Sequence, residues 1–199
     1  GEFEQRRNAV PSSGHAVGEY RTAIERDGYE QLGLSTVQAE ANGGNALLLN
    51  TAVPPLDDVR VRQAIVQAVD IDALNEAVFN GLEEVAGGPF PEGSPYYDAE
   101  AAQLPYDPEA AQALIDEYTA EVGPIEFDIT AIGGSDSLTA EWIAQQLNAY
   151  DNVNVGIESV DPTSRFSLMT SSDFDITNMN MIFHGATGSF FRYSLVTDG

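Results

Sequence analysis

The chain has 199 residues, 43% of them hydrophobic, which is enough for one ordinary domain with an apolar core. Its 32 acidic residues oppose eight basic ones, all arginine, and the net charge of −24 excludes a nucleic-acid-binding function because phosphate contacts need a basic patch. Cysteine is absent, which excludes disulfides, thiolate metal sites and cysteine nucleophiles.

The first half of the chain begins with a polar stretch, residues 1–17, which we predict to be a tail or connector before a single domain over residues 18–199. The triplet NGG at residues 42–44 is a turn signal. Either Asp57 or Asp58 is expected to be the N-cap of the helix that follows the two prolines. The predicted elements of this half are a helix over residues 19–29, the strands LSTVQAE and NALLLNT, and helices over residues 59–69 and 72–80.

The second half begins with a loop rich in glycine and proline over residues 86–106, followed by the clearest helix in the chain. Asp107 is predicted to cap this helix, Pro108 occupies its first position and Gly123 ends it. Its apolar stripe is predicted to comprise Ala111, Leu114, Tyr118 and Val122. The remaining predicted elements are the strand IEFDITAIG, a helix over residues 135–150 capped by Ser135 or Asp136, the strand VNVGIESV, a helix over 162–170, the strand FDITNMNMIF and a helix over 188–196.

This alternation of strands and helices predicts an α/β fold with a mostly parallel sheet and helices on both faces. No apolar run approaches the 18 or more residues of a membrane span, so no transmembrane helix is expected.

The segment LLLNTAVPPLDDVRVRQAIVQAVDIDALNEAVFNG resembles the lobe-crossing segment of the family 5 extracellular solute-binding proteins, the peptide-binding subunits of ABC importers. The family pattern of N-T, P-P, D-x-R-V-R-x-A, A-x-D-x-x-x-L and N-G occurs here in order. GPFPEGSPYYD and YDPEAAQALIDE resemble two further segments of the family. The resemblance implies one lobe of the type II periplasmic-binding-protein fold, the second of two lobes in a longer protein.

The resemblance also implies a function. A family 5 protein captures a small solute outside the cell by hinge closure of its lobes and delivers it to an ABC permease in the membrane, with no catalysis and no cofactor. The protein is expected to be a monomer, and either a cell-surface lipoprotein or periplasmic. In this family the strand ITNMNMIF and the loop after it face the ligand. The ligand-binding candidates are therefore Phe183, His184, Thr187 and Ser189, with Asn50 and Thr51 as a second set.

One departure from the family concerns the ligand itself. Dipeptide-binding members place an aspartate in the loop after this strand to hold the α-amino group of the peptide. Here the loop reads FHGATGSFF and contains no acid, with Ala186 near the expected position. A sugar, a longer peptide held through its backbone and another small solute therefore remain open alternatives to a dipeptide.

The charged residues of the family motif are expected to be mainly structural. Asp57 and Asp58 favour the positive end of the helix dipole. Arg62 is predicted to pair with carboxylates inside the lobe, and Arg60 to lie on a more exposed face.

Two other function classes fit parts of the sequence. Ser135 lies at a strand-to-helix turn, and Ser135, Asp173 or Asp175, and His184 follow the chain order of an α/β-hydrolase triad. The G-x-S-x-G motif is not met, since Ser137 stands where glycine is required. The other class is a stand-alone interaction domain whose acidic face binds a cationic partner. No metal site is expected, because there are only two histidines and the D-x-D pairs lack a glycine-bearing calcium loop.

Overall fold

A computed structural model describes residues 23–33, 35–36, 42–88, 90 and 97–183. Four strands and six α-helices lie in this part of the chain. In chain order they are α1 (Ala23–Gln31), β1 (Asn42–Leu49), α2 (Val59–Ala68), α3 (Ile71–Phe79), a 3-10 turn (Ala99–Ala101), α4 (Pro108–Glu121), β2 (Ile125–Ala131), α5 (Ser135–Leu147), β3 (Val153–Ser159), α6 (Pro162–Ser171) and β4 (Ile176–Phe183). The helix predicted over residues 188–196 and the strand LSTVQAE (residues 34–40) lie outside the described residues, apart from Ser35 and Thr36.

The described strands form one sheet in the order β1-β4-β2-β3. Strand β2 runs parallel to both β3 and β4, whereas β1 runs antiparallel to β4. Two of these three pairings are parallel, so the predicted mixed α/β fold with a mostly parallel sheet is confirmed.

The prediction of a turn at NGG is wrong. Gly43 and Gly44 lie inside β1, where they pair with Ile182 and Met181 of β4. Glycine is uncommon in strand interiors but is permitted there, and the pairing with β4 outweighs the local turn preference.

The apolar core lies between one face of the sheet and helices α2, α4 and α5. Along β2 the side chains of Ile125, Phe127 and Ile129 are buried and alternate with exposed Glu126 and Asp128, as the two-residue period of a strand requires. Helix α5 packs on β2 and β3, and α2 packs on α4 and α5. Helix α5 connects β2 to β3 on one side of it, and α6 connects β3 back to β4 on the other side of β2. Because connections between parallel strands are right-handed, crossovers in opposite directions place α5 and α6 on opposite faces of the sheet. No residue of α6 is fully buried.

Local capping chemistry sets most of the helix starts. Asp58 caps α2 and accepts a hydrogen bond from the backbone N–H of Arg60, and Asp107 caps α4 ahead of Pro108, both as predicted. Helix α3 begins slightly earlier than predicted, because Asp70 caps it. The apolar stripe of α4 ends at Tyr118, since Val122 is exposed.

Arg60 and Arg62 exchange the roles predicted for them. The guanidinium of Arg60 forms ion pairs with Asp58, Glu117 and Glu121 at 2.8–3.2 Å and stands over the ring of Tyr118, so it ties α2 to α4. Arg62 instead donates hydrogen bonds to the backbone carbonyls of Leu56 and Asp57. Both arginines are structural, as expected, but Arg60 is the one that holds the carboxylates.

The Arg60 cluster predicts a contribution to acid stability. Hydrogen bonds from Arg60 lower the pKa of Asp58 below its ordinary value. A carboxyl group with a depressed folded-state pKa stabilises the protein above its unfolded pKa of about 3.9, and this contribution disappears as pH falls through the folded value. Asp58→Asn keeps the N-cap, since asparagine caps well, but loses this dependence. Urea unfolding from about pH 7 to about pH 2 should show the parent more stable than the variant at neutral pH and the two converging in acid.

Arg60→Gln is the matched variant, because it removes the donor and leaves the carboxylate in place. In this variant, as in Asp58→Asn, the free energy of unfolding should fall less steeply than in the parent as the pH drops through the folded-state pKa of Asp58. Parallel curves for the parent and both variants would contradict the assignment of the lowered pKa to the Arg60 hydrogen bonds.

Candidate functional site

The three parallel strands point toward one side of the sheet, which we name the carboxyl edge. Thr130 of β2 is level with Thr177 of β4, so β4 continues to Phe183 beyond the ends of β2 and β3. The carboxyl edge contains the ends of β2 at Ala131, of β3 at Ser159 and of β4 at Phe183. The antiparallel β1 begins there, with Asn42 opposite Phe183. Ligands of open α/β sheets bind beyond the carboxyl ends of the strands, so this edge is the candidate site.

The connection from β2 to α5 contains two adjacent glycines. Among the described residues, a side-chain carbon built on Gly133 or Gly134 would meet no atom within 4 Å other than those of its chain neighbours. Gly134 has φ +82°, a conformation that favours glycine, and it occupies the N-cap position of α5 without any side-chain cap. The prediction that Ser135 or Asp136 caps this helix is therefore wrong.

Asp136 makes a different contact from the predicted cap. Its Oδ2 accepts a hydrogen bond of 2.6 Å from the backbone N–H of Ile132, and Ser137 Oγ donates to the carbonyl of the same residue at 2.9 Å. Arg165 of α6 also donates to Asp136 Oδ2, at 3.2 Å. These contacts fix the end of β2 to the starts of both helices.

The connection from β3 to α6 is closed by Asp161. Its side chain accepts hydrogen bonds from the backbone N–H groups of Thr163 and Ser164 and caps α6 at the position before Pro162. The hydrogen bonds from Ser164 lower the pKa of Asp161. The backbone N–H of Val160 donates to the carbonyl of Ala131, which extends the contact between β2 and β3 beyond the strands.

The first set of predicted ligand-binding residues falls largely outside the described structure. The backbone of Phe183 lies at the carboxyl edge, as the prediction requires. His184, Thr187 and Ser189 lie outside the described residues, and their role in binding stays a prediction.

The second set lies at the end of β1, beside the start of β4 and level with the middle of β2. Because β1 is antiparallel to β4, Leu49 pairs with Ile176, and Asn50 follows at the end where β4 begins. Asn50 is buried there. Its Nδ2 donates to the carbonyls of Ser172 and Phe174 at 3.0 and 2.9 Å, and its Oδ1 accepts from the N–H of Ala52. Asn50 thus fastens the start of β4 to the end of β1, and the structure does not bring it together with Phe183.

This placement predicts a structural effect for Asn50. Asn50→Ala should lower the free energy of unfolding by about 1–3 kcal/mol, because it leaves partly buried carbonyl groups without their donor. Thr51→Ala, at the exposed neighbouring position, is the control and should change the same quantity by no more than about 0.5 kcal/mol. Chemical denaturation of the two variants measures the difference, and parent-like stability of Asn50→Ala would contradict the bridging role.

The described members of the hydrolase triad are not assembled. Ser135 follows the end of β2, whereas Asp173 and Asp175 precede β4, near the level of the middle of β2. Asp175 accepts a hydrogen bond from the N–H of Asp128 in the middle of β2. His184 lies outside the described residues.

Metal and membrane features were searched over the same part of the chain. No group of three histidine, cysteine or acidic side chains in the described ranges is placed to hold a metal ion. None of the helices that the structure describes is long and apolar enough to cross a membrane.

Sequence reasoning missed the contact between Asp136 and Arg165. The glycine pair before Ser135 and the Asp-Pro pair at residues 161–162 were visible signals of a turn and of a helix start. Neither signal indicates that the two helix starts touch, because that depends on the parallel pairing of β2 with β3.

Comparison with known families gives an independent assignment. The model of the bacterial extracellular solute-binding proteins, family 5 middle region, matches residues 3–199. The chain belongs to this family. The sequence prediction of a family 5 member is therefore confirmed.

Named family 5 relatives match shorter segments. The dipeptide-binding protein of Escherichia coli K12 is 40% identical over 77 residues, 39% of this chain and 14% of that protein. Heme-binding protein A of Haemophilus influenzae is 42% identical over 71 residues, 36% of this chain and 13% of that protein. The glutathione-binding protein GsiB of Pectobacterium atrosepticum is 28% identical over 144 residues, 71% of this chain and 27% of that protein. The matched segments thus span less than a third of each relative.

Solved structures confirm the predicted fold of one periplasmic-binding-protein lobe. The binding protein AgaA of A. tumefaciens R10, in complex with agropinic acid, superposes with a TM-score of 0.72 at 26% identity, covering 89% of this chain and 37% of that one. The periplasmic binding protein DppA of Helicobacter pylori, in complex with the peptide STSA, superposes with a TM-score of 0.78 at 20% identity, covering 97% of this chain and 38% of that one. The second likeness concerns the fold alone.

Proposed function

We propose that this chain forms the second lobe of a two-lobe, extracytoplasmic solute-binding subunit of an ABC importer, with the carboxyl edge lining one wall of the solute cleft. The observation that carries the proposal is the family 5 match over residues 3–199. Coverage of 37–38% of the two solved structures supports the assignment to one part of a larger protein. In this role the lobes close on the solute about a hinge, and no catalytic step is involved.

One part of the proposed site lies within the residues that the structure describes, and the other part lies beyond Phe183. The open backbone at Gly133 and Gly134 and the end of β4 supply the described part. The loop after Phe183 supplies the other, with His184, Thr187 and Ser189 as hydrogen-bonding groups and Phe183 as a surface for an apolar or ring-bearing portion of the solute. Asn50 and Thr51 are left out of this proposal, since they lie beside the start of β4 and the side-chain amide of Asn50 is engaged by backbone groups.

The proposed solute is a small molecule that is not held through an α-amino group. The relatives named above bind dipeptides, heme, glutathione or agropinic acid according to their names and titles. Family membership alone therefore does not fix the chemical class of the solute. The segment FHGATGSFF carries no acid to pair with an ammonium group. An oligopeptide held by its backbone and a solute without an amino group both fit.

The remaining parts of the proposal follow from an importer role. The protein acts outside the cytoplasmic membrane, as a lipoprotein or in the periplasm, and it releases its solute to the membrane permease. It works as a monomer whose two lobes close on one solute.

The proposal is tested by isothermal titration calorimetry of the intact natural protein with a defined panel. The panel contains the dipeptide Met-Leu, N-acetyl-Met-Leu, glutathione, agropinic acid and hemin. At least one member should bind with one-to-one stoichiometry, and N-acetylation should not weaken the binding of the dipeptide. Acetylation that abolishes dipeptide binding would contradict the assigned solute class.

A catalytic outcome would contradict the function class itself. Purified protein is assayed in parallel for hydrolysis of a chromogenic ester. Turnover that disappears in Ser135→Ala, together with the absence of solute binding, would replace the binding role with a hydrolase.

A further inference from the structure

The contact between Asp136 and Arg165 connects two segments that leave the carboxyl edge. Asp136 lies in the first turn of α5, which follows β2, and Arg165 lies near the start of α6, which follows β3. The two side chains meet at 3.2 Å, with 11% of the Asp136 side chain and 23% of the Arg165 side chain exposed. Since α5 and α6 lie on opposite faces of the sheet, this ion pair passes across the ends of the strands.

The negative charge of the protein makes Arg165 hard to replace as the partner of Asp136. The described residues contain four cations, namely Arg26, Arg60, Arg62 and Arg165. Arg165 lies beside the start of α5, whereas Arg60 and Arg62 lie in α2, which follows the end of β1. A carboxylate that is largely withdrawn from water needs a partner, and removing the partner leaves an uncompensated charge. In a chain of net charge −24, other cations that might replace Arg165 are scarce.

The segment from Ile132 to Gly134 is held by hydrogen bonds to the first turn of α5. Asp136 Oδ2 binds the N–H of Ile132, and Ser137 Oγ binds its carbonyl, so both polar groups of Ile132 depend on the first turn of α5. In the described part of the chain, and apart from the chain neighbours, no atom lies within 4 Å of the side-chain position at Gly133 or Gly134. Hydrogen bonds to Asp136 and Ser137, rather than side-chain packing at the two glycines, therefore set where this turn lies.

We propose that Asp136 and Arg165 are positioning residues of the solute site, which hold the Ile132–Gly134 turn in one conformation at the carboxyl edge. Arg165 fixes the carboxylate of Asp136, and that carboxylate fixes the backbone of Ile132. Neither side chain needs to touch the solute. This inference rests on the proposed function, because the turn matters for binding only where the carboxyl edge is the solute site.

The first test uses amide hydrogen exchange in the 199-residue chain. Arg165→Gln should accelerate exchange at the Ile132 amide by at least about tenfold, because the acceptor of that amide loses its charged partner. The amide of Ile129 in the core should exchange as in the parent. Arg165→Lys should recover most of the protection. Arg26→Gln is the matched control, since it removes the same charge from a surface ion pair with Glu30 in α1 and should leave Ile132 unaffected.

The second test measures solute affinity in the intact natural protein, with glutathione and N-acetyl-Met-Leu as probes. Arg165→Gln should weaken probe binding by about tenfold, and Arg165→Lys should restore it, at a temperature where circular dichroism shows the parent and both variants to be fully folded. A merely structural ion pair would lower the melting temperature and leave the affinity of the folded protein unchanged.

The two tests separate failure of the inference from failure of the proposed function. Unchanged exchange at Ile132 in Arg165→Gln overturns the positioning role, and so does parent-like probe affinity in a variant whose Ile132 amide has become labile. Parent protein that binds no solute of any kind counts against the proposed function, and in that case the exchange experiment alone decides whether Arg165 holds the turn.

Discussion

Replacing Ile129 by alanine is expected to lower the free energy of unfolding by about 2–5 kcal/mol, the largest effect of any single substitution considered for this protein. Ile129 lies in β2, which has neighbours on both sides, and its side chain is 1% exposed. The truncation removes apolar contacts between the sheet and the helices above it and leaves a cavity that a rigid sheet cannot close. For a chain of this length the melting temperature should fall by roughly 2–4 °C for each kcal/mol lost.

The neighbouring strand supplies a control with the same chemistry. Ile157 of β3 pairs in register with Ile129, but its side chain is 38% exposed. Ile157→Ala should therefore cost no more than about 1 kcal/mol. Urea denaturation of both variants gives the comparison, and equal losses at the two positions would contradict the placement of the core on the Ile129 face of β2.

The second large effect concerns salt. With 32 acidic and eight basic residues, repulsion between carboxylates opposes the compact state at low ionic strength. Salt shortens the range of this repulsion from about 30 Å at 0.01 M to about 3 Å at 1 M. The melting temperature should therefore rise by several degrees between dilute buffer and molar sodium chloride, with about 1 kcal/mol of added stability for each 2–4 °C.

A charge-reduced variant distinguishes screening from a general effect of salt on apolar burial. Glu84, Glu126 and Glu141 are exposed, and changing all three to glutamine removes three negative charges. This variant should begin with a higher melting temperature at low salt and gain less on salt addition. A melting temperature of the parent that stays flat or falls over the same range would refute the repulsion argument.

Features of the fold that depend on local chemistry were predictable from the sequence. Asp107, and one member of the pair Asp57 and Asp58, were predictable as helix caps because capping is a hydrogen bond between residues two or three apart. The structure selects Asp58 from that pair. The Asp107-Pro108 pair located the start of α4 to the residue. The four strands of the described sheet were also predicted, because their apolar residues either form a short run or alternate with polar ones, although β1 begins at Asn42 rather than at Asn45.

Features that depend on strand direction and on contacts between elements were not predictable in the same way. The sequence makes Asn50 a second ligand-binding candidate. Only the antiparallel pairing of β1 with β4 places it beside the start of β4, where its amide binds backbone carbonyls. Arg60 and Arg62 are two residues apart on a helix, so they point in different directions. Only the position of α4 decides that Arg60 meets Glu117 and Glu121.

The central claim is that solute binds at the carboxyl edge of this sheet, and hydrogen exchange of the intact protein with and without its solute tests it most directly. The account predicts slower amide exchange in the presence of solute at residues 131–136, 159–161 and 181–183, which surround that edge. Exchange at residues 49–52 and 172–175, where β1 ends and β4 begins, should not change. Protection confined to the segments around Asn50, or no protection anywhere in this lobe while solute is bound, would contradict the account.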